Sequence, residues 1–428
     1  MNRRATLLVS SAVFVIVLSA AASQLAQAQT FQVLHAFTNG IDGATPMSGV
    51  TVDQAGNLYG TASLGGKLTC SPPWGCGTAY RLKRSGSNYT FSPLYSFEGG
   101  SDGSHPESRL NYGPDGVLYG TTDEGGSANC GGVGCGTVFK LLPPAEVFCR
   151  SLFCPWTETV LYSFSGDSDG YWPLAADLRF DSTGNIYGTV PYTTYASDTY
   201  GVVYELTRSS GSYTQRILHS FSGSDGSQPY NSGVIADSAG NLYGTTEAGG
   251  QYGYGTVFEL TKDAGGSWTE TVLHNFNGYD GGNISPGLVA DPTGNLYGAA
   301  SIGGASGGGT VFELSPGESG WTFNLLYNFP HNDCGPMASL TMDAAGNLYG
   351  ALDCGGAYGA GSVFKLAYSD GTWTFTSLHD FNFTDGDNPW GNVTMDSSGN
   401  LYGTTVYGGH YTGLCQNYGC GVVWKITP

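Results

Sequence analysis

A Tyr-Gly step preceded by an aliphatic residue recurs at Tyr59, Tyr119, Tyr187, Tyr243, Tyr297, Tyr349 and Tyr402, at intervals of 52 to 68 residues. Self-similarity at this period is the mark of an array of one supersecondary unit, because each unit leaves an apolar face that only its neighbour can cover. The copy containing Tyr243 shows the unit best, as four strand-length runs: "GVIAD", "NLYGTT", "GTVFELT" and "SWTETVLHNF". We designate them strands A to D; period-two alternation and enrichment in β-branched and aromatic residues support each. Strands A and B are joined by "DSAGN", with relatives "DQAGN", "DSTGN", "DPTGN", "DAAGN" and "DSSGN". The Gly supplies a left-handed residue and the leading Asp can accept hydrogen bonds from the turn's own amides. A calcium loop would need more carboxylates per turn, so the motif is read as structural. Only the second copy departs, with "YGPDGV" at residues 112–117.

Seven four-stranded units predict an all-β chain folded as a seven-bladed β-propeller, with A innermost and D outermost. A linear solenoid would use shorter repeats and need capped ends. Residues 29–428 form this single domain, with blades starting near residues 46, 106, 173, 229, 286, 336 and 389. The two ends carry the argument. "FQVLHAF" at residues 31–37 matches strand D, and the chain finishes on a strand C, "GVVWKIT". Residues 29–40 are therefore expected to supply the outer strand of the last blade, which closes the ring and removes two free sheet edges.

The combination of "GNLYGTT", a double glycine, "GTVFEL" and "LHSF" resembles the GloVer tandem repeat of bacterial exported proteins, the choice-of-anchor group. The resemblance covers nearly the whole chain after its leader. It implies a secreted or surface repeat protein and transfers no catalytic residues. Members differ in their C-terminal sorting tails; the ending "VVWKITP" has none of these, which favours release over attachment. Residues 1–28 read as an export signal: Arg3 and Arg4, an apolar run from Leu7 to Ala22, then Ala26-Gln27-Ala28. Thr6 stands where a twin-arginine signal would place an apolar residue, so that export route is weakly supported. No membrane span is expected after cleavage, and the ring is expected to be monomeric. Ten cysteines fall into five local pairs: Cys70 with Cys76, Cys130 with Cys135, Cys149 with Cys154, Cys334 with Cys354, and Cys415 with Cys420. Their spacing is not C-x-x-C and no His recurs beside them, so disulfides in an oxidising compartment are expected, not zinc sites.

Composition excludes some partners. Lys plus Arg number 15 against 34 Asp plus Glu, a formal net charge of −19, which repels nucleic acid and anionic membranes.

Antiparallel order places the A–B and C–D turns on one face of the ring and the D–A and B–C loops on the other. The second face is the variable one, and a Cys334–Cys354 bridge would test that order by joining a D–A to a B–C loop. Asp42, Asp102, Asp169, Asp225, Asp280 and Asp385 are expected there as an acidic crown, thickened by Asp123, Glu124, Asp167, Glu247 and Asp387. Asp-Gly is foremost a turn former. The same oxygens suit Ca²⁺, with Asp167, Asp169, Asp385 and Asp387 as candidate ligands. Paired carboxylates could also serve glycoside hydrolysis, but nothing marks one pair. Trp156, Trp268, Trp321 and Trp373 begin strand D and Trp424 lies in strand C, so these are packing residues. That leaves Trp74, Trp172 and Trp390 in loops of the acidic face, with His410 and Tyr411 in the sector of Trp390 and Trp74, which ring closure is expected to make neighbours. Such side chains could stack on sugar rings; loop packing is the competing reading. His35, His219, His274 and His379 interchange with Tyr95, Tyr162 and Tyr327 at one strand D position, which points to half-buried packing. The expected function is a binding or scaffold module for an extracellular polysaccharide or surface protein. The alternatives are a hydrolase, lyase or metal-dependent lactonase, for which no catalytic residues can be assigned, and a purely structural surface protein.

Overall fold

The computed structural model describes residues 29–428 except 128, 145–155, 175–176, 195–199, 210, 231–232, 285–286 and 332. The expected export signal and the expected Cys149–Cys154 bridge lie outside the described residues. Seven four-stranded antiparallel sheets form seven blades, each ordered A-B-C-D. Blade 7 is closed as expected: its outer strand is Thr30–Ala36, hydrogen-bonded to the C-terminal strand Val422–Thr427 with Val33 opposite Trp424. Thr404 of blade 7 donates its hydroxyl to the Ser48 carbonyl of blade 1 at 2.7 Å, so the ring also closes on the inside. Thr61 and Thr121 reach the next blade in the same way.

The Tyr-Gly step has two separate causes. Strand B is buried throughout in every blade. Its Gly lies directly opposite the aromatic residue of strand C, as with Gly60 and Tyr80 or Gly403 and Trp424. A Cβ there would stand 2.4 Å from the Tyr80 hydroxyl or 2.3 Å from the Trp424 ring, so the ring can lie across the strand only where no side chain exists. The Tyr hydroxyl instead donates to the A–B turn: Tyr349 to Asp343 and Tyr402 to Asp396, each at 3.0 Å. The same Asp accepts the amides two and four residues on, for example Ser398 and Asn400 on Asp396. In the departing second copy Asp115 takes over this role, receiving the Tyr119 hydroxyl at 2.8 Å and the Val117 amide.

Strand D carries a bulge at the same place in every blade. The extra residue is the Leu of "LH" or "LY", as where Val203 faces His219 and Tyr204 faces Ile217, leaving Leu218 unpaired. A bulge re-aims the side chain beside it. Here it turns the following His or Tyr toward the Asp of the D–A loop: His35 to Asp42, Tyr95 to Asp102, Tyr162 to Asp169, His219 to Asp225, His274 to Asp280 and His379 to Asp385. Among the described residues four disulfides lie in the loops of that face: Cys70–Cys76, Cys130–Cys135, Cys334–Cys354 and Cys415–Cys420. The Cys334–Cys354 bridge joins a D–A loop to a B–C loop, as the strand order requires.

Candidate functional site

The D–A and B–C loops pair across their bases, as at Ala44 with Leu64 and Ser227 with Ala248, so they form one continuous face. In six copies the D–A loop Pro precedes a variable residue: Met47, Glu107, Leu174, Tyr230, Met337 and Trp390. All of these except Leu174 line one depression, with Ser48, Gly391 and Asn392. Residues from blades 1, 2, 4, 6 and 7 can share a lining only on the ring axis. The depression encloses about 30 Å³, room for one or two waters and too little for a sugar ring.

One side of this axial site is acidic. Burial and the nearby Glu124 carboxylate push Glu107 up to about 7, opposed by His105; the His105 ring lies 3.0 Å from Glu124. Burial pushes Asp123 well above the ordinary carboxylate range, reinforced by Glu107 and Glu124, and its Oδ1 is buried without a hydrogen-bond partner. Burial also raises Glu247. The Tyr230 hydroxyl is raised by burial and then by Glu107 and Asp123. On the other side the Trp390 indole N–H is directed at Asp353, whose carboxyl burial raises, without the geometry of a regular hydrogen bond. Beneath lies a polar floor: Arg109 makes a two-pronged ion pair with Asp177, and Asn392 of blade 7 reaches Asp177 of blade 3 at 3.3 Å. On the far side of this floor a cavity of about 160 Å³ is bounded by residues of blades 2 to 7.

The residues singled out in the sequence are dispersed over the face. Trp390 borders the axis. Trp74 is 46% exposed on the B–C loop of blade 1 and is not among the residues bordering the depression. Trp172 is half-buried and packs edge-on against Tyr171 and Tyr192, which is the loop-packing reading. His410 and Tyr411 are exposed on the rim; the Tyr411 hydroxyl donates to the Phe383 carbonyl at 3.2 Å. The Asp-Gly aspartates do not form an open crown. Each turns back into its own loop, as Asp169 does in accepting Tyr162 and the Ser165 amide, and Asp385 in accepting His379 and the Asn382 amide. Asp167 and Asp387 lie beside them in loops of blades 3 and 7. Trp156, Trp268 and Trp321 pack against the strand B tyrosine of the preceding blade.

Sequence reasoning missed Glu107, Tyr230, Met337 and the Arg109–Asp177–Asn392 floor. The signal for the first three was the position after the loop Pro, the place where the copies differ most in size and charge. A second signal is the distribution of exposed large apolar side chains. Among the described residues fourteen of seventeen lie in D–A or B–C loops, the exceptions being Tyr112, Leu325 and Tyr368. The exposed aromatics are therefore concentrated on this face. Tyr279 at 87%, Tyr418 at 68% and Tyr358 at 61% are the most open tyrosines of this face.

A propeller whose copies agree in the sheets and diverge in the loops of one face is a scaffold class that serves many functions. The chain belongs to the family of the Gloeobacter/Verrucomicrobia repeat, whose model matches residues 20–230, 136–270 and 231–428. No curated protein matches it. Solved structures with a similar fold include the extracellular domain of a protein assigned as a hybrid two-component system of B. thetaiotaomicron, at TM-score 0.52 and 13% identity. That match covers 92% of this chain and 39% of the other, so the propeller spans well under half of that structure. A fungal alcohol oxidase of the AA5 family in complex with copper matches at TM-score 0.56 and 14% identity, covering 93% of this chain and 76% of the other. A protein assigned as a 6-phosphogluconolactonase of Bacteroides uniformis matches at 0.50 and 12% identity, covering 83% and 89%. These likenesses establish the fold.

Proposed function

We propose that the protein is an exported binding module that holds an extracellular polysaccharide against its D–A/B–C face. The carrying observation is the concentration of exposed tyrosines and other apolar side chains on that face. Aromatic rings stack on the apolar face of a sugar, and carboxylates at the axis accept hydrogen bonds from its hydroxyls. In this reading the ligand lies across the mouth and rests on the rim, since the axial depression is too small to take a sugar ring. Four disulfides support an oxidising, extracytoplasmic location, and no helix of the described residues is long and apolar enough to cross a membrane. The test is cosedimentation with insoluble cell-wall polysaccharides together with a glycan array. The Tyr279→Ala/Tyr418→Ala double variant is expected to lose retention at least about tenfold, since each stacked ring contributes about 1 kcal/mol. Tyr368→Ala, on the opposite face, keeps it. Absence of retention by any polysaccharide or glycan, or equal retention of all three proteins, removes the proposal.

A further inference from the structure

The sevenfold repeat supplies its own controls for an unassigned site between blades 3 and 4. Four residues before each strand D His or Tyr stands a residue that faces the preceding blade's copy of that His or Tyr. In four junctions it is Phe, and the rings stack: His35 with Phe91 at 4.3 Å, His274 with Phe323 at 4.1 Å, Tyr327 with Phe375 at 5.5 Å, and His379 with Phe31 at 3.5 Å. In a fifth it is Gln215, satisfied by the Tyr162 hydroxyl at 3.3 Å and the Asp169 carbonyl at 2.8 Å. The remaining two are Glu158 and Glu270, each with an Oε1 that is buried and has no hydrogen-bond partner.

Glu270 differs from Glu158 in what it faces. It stands over the His219–Asp225 pair, and one ligand atom from each of the three residues lies within 4.8 Å of the others. His219 Nε2 and Asp225 Oδ2 are 3.0 Å apart, and both side chains are about one-fifth exposed, which leaves a path for an ion from solvent. Asp225 Oδ1 is fixed by the Ser222 amide at 2.8 Å and hydroxyl at 3.0 Å, which leaves Oδ2 directed at His219 Nε2. A tetrahedral ion with bonds of about 2.1 Å holds its ligand atoms about 3.4 Å apart, a spacing that a small rotation of Glu270 reaches. Glu158 instead faces Tyr95 and Asp102, with no nitrogen ligand.

We propose that His219, Asp225 and Glu270 form a binding site for a first-row divalent cation, Zn²⁺ foremost, with water completing the shell. One imidazole and two carboxylates fit Zn²⁺ better than the all-oxygen shells of Ca²⁺ and Mg²⁺. The ion joins strand D of blade 4 to strand D and the following loop of blade 3. It does in this junction what a stacked Phe does in four others. The His–Asp pairs covered by Phe (His35–Asp42, His274–Asp280 and His379–Asp385) lack the third ligand and do not take up the ion.

The experiment is equilibrium dialysis of metal-stripped full-chain protein against Zn²⁺, with Co²⁺ absorption as a report of nitrogen and oxygen coordination. Wild type is expected to bind one equivalent. Glu270→Phe restores the residue that four junctions carry and so keeps the fold, checked by its melting curve; Glu270→Gln is the second variant. Each is expected to weaken Zn²⁺ about a hundredfold or more, the upper range for loss of even an outer-shell partner, while Glu158→Gln binds like wild type. Failure of wild type to bind Zn²⁺ and Co²⁺, or equal affinity and stoichiometry in the Glu270 variants, overturns the site.

Discussion

Glu158 offers a direct test of how a repeat tolerates a buried carboxyl in place of a ring. Burial and the Asp102 carboxylate push it up to about 8 from an ordinary value of 4.5. Both folded and unfolded chains hold the proton below pH 4.5. Between that pH and about 8 the unfolded chain releases it and the folded chain keeps it, so ionisation favours unfolding as the pH rises. The full shift corresponds to about 5 kcal/mol; partial solvent access at this half-buried position reduces it to about 2 kcal/mol. Glu158→Gln removes this dependence while keeping shape. We expect the variant to match wild type at pH 4.5 and to exceed it by about 2 kcal/mol at pH 8.5, or about 2 °C in Tm for a chain of this length. The assay is urea and thermal unfolding at both pH values in EDTA. A gap that is the same at both pH values, or that widens on acidification, refutes the reasoning.

Two further outcomes follow from ring closure and from the turns. A chain beginning at Phe37 lacks the outer strand of blade 7, which exposes the edge of Val422–Thr427 and uncovers His379, on which Phe31 stacks. It is expected to melt at least about 10 °C lower or to self-associate by strand donation, measured by calorimetry and light scattering; a truncated monomer with native Tm contradicts the closure. Asp396→Ala removes the acceptor of the Ser398 and Asn400 amides, the Asn400 side chain and the Tyr402 hydroxyl. It is expected to cost about 2 kcal/mol in urea unfolding and to leave ligand retention unchanged; an undiminished urea midpoint counts against the turn Asp as a stabilising acceptor.

Much of the molecule was legible one residue at a time because the chain repeats its own instructions. The Asp and Gly of the A–B turn, the alternation within each strand and the matching end segments are local signals, and local signals decide element type and strand order. The ring followed from two facts in the string, a spare strand D at one end and a missing one at the other. The sequence also suggested that His35, His219, His274 and His379 pack, since Tyr replaces them.

What the string could not give was direction. The Asp-Gly carboxylates looked like an open crown, but a bulge at the preceding Leu brings His or Tyr to each of the six, and the loop amides consume the rest. Trp74 and Trp390 belong to adjacent blades, yet only Trp390 borders the axial depression. Glu107, Tyr230, Met337 and Trp390 are far apart in sequence and meet only because sevenfold closure brings equivalent positions to one point. Glu270 reads as an ordinary strand residue until the neighbouring blade sets His219 and Asp225 against it. Repetition within the chain determined the architecture, because each blade is specified by contacts close in sequence. Convergence across the ring decided the sites, because those contacts depend on distances that exist only once the circle is shut.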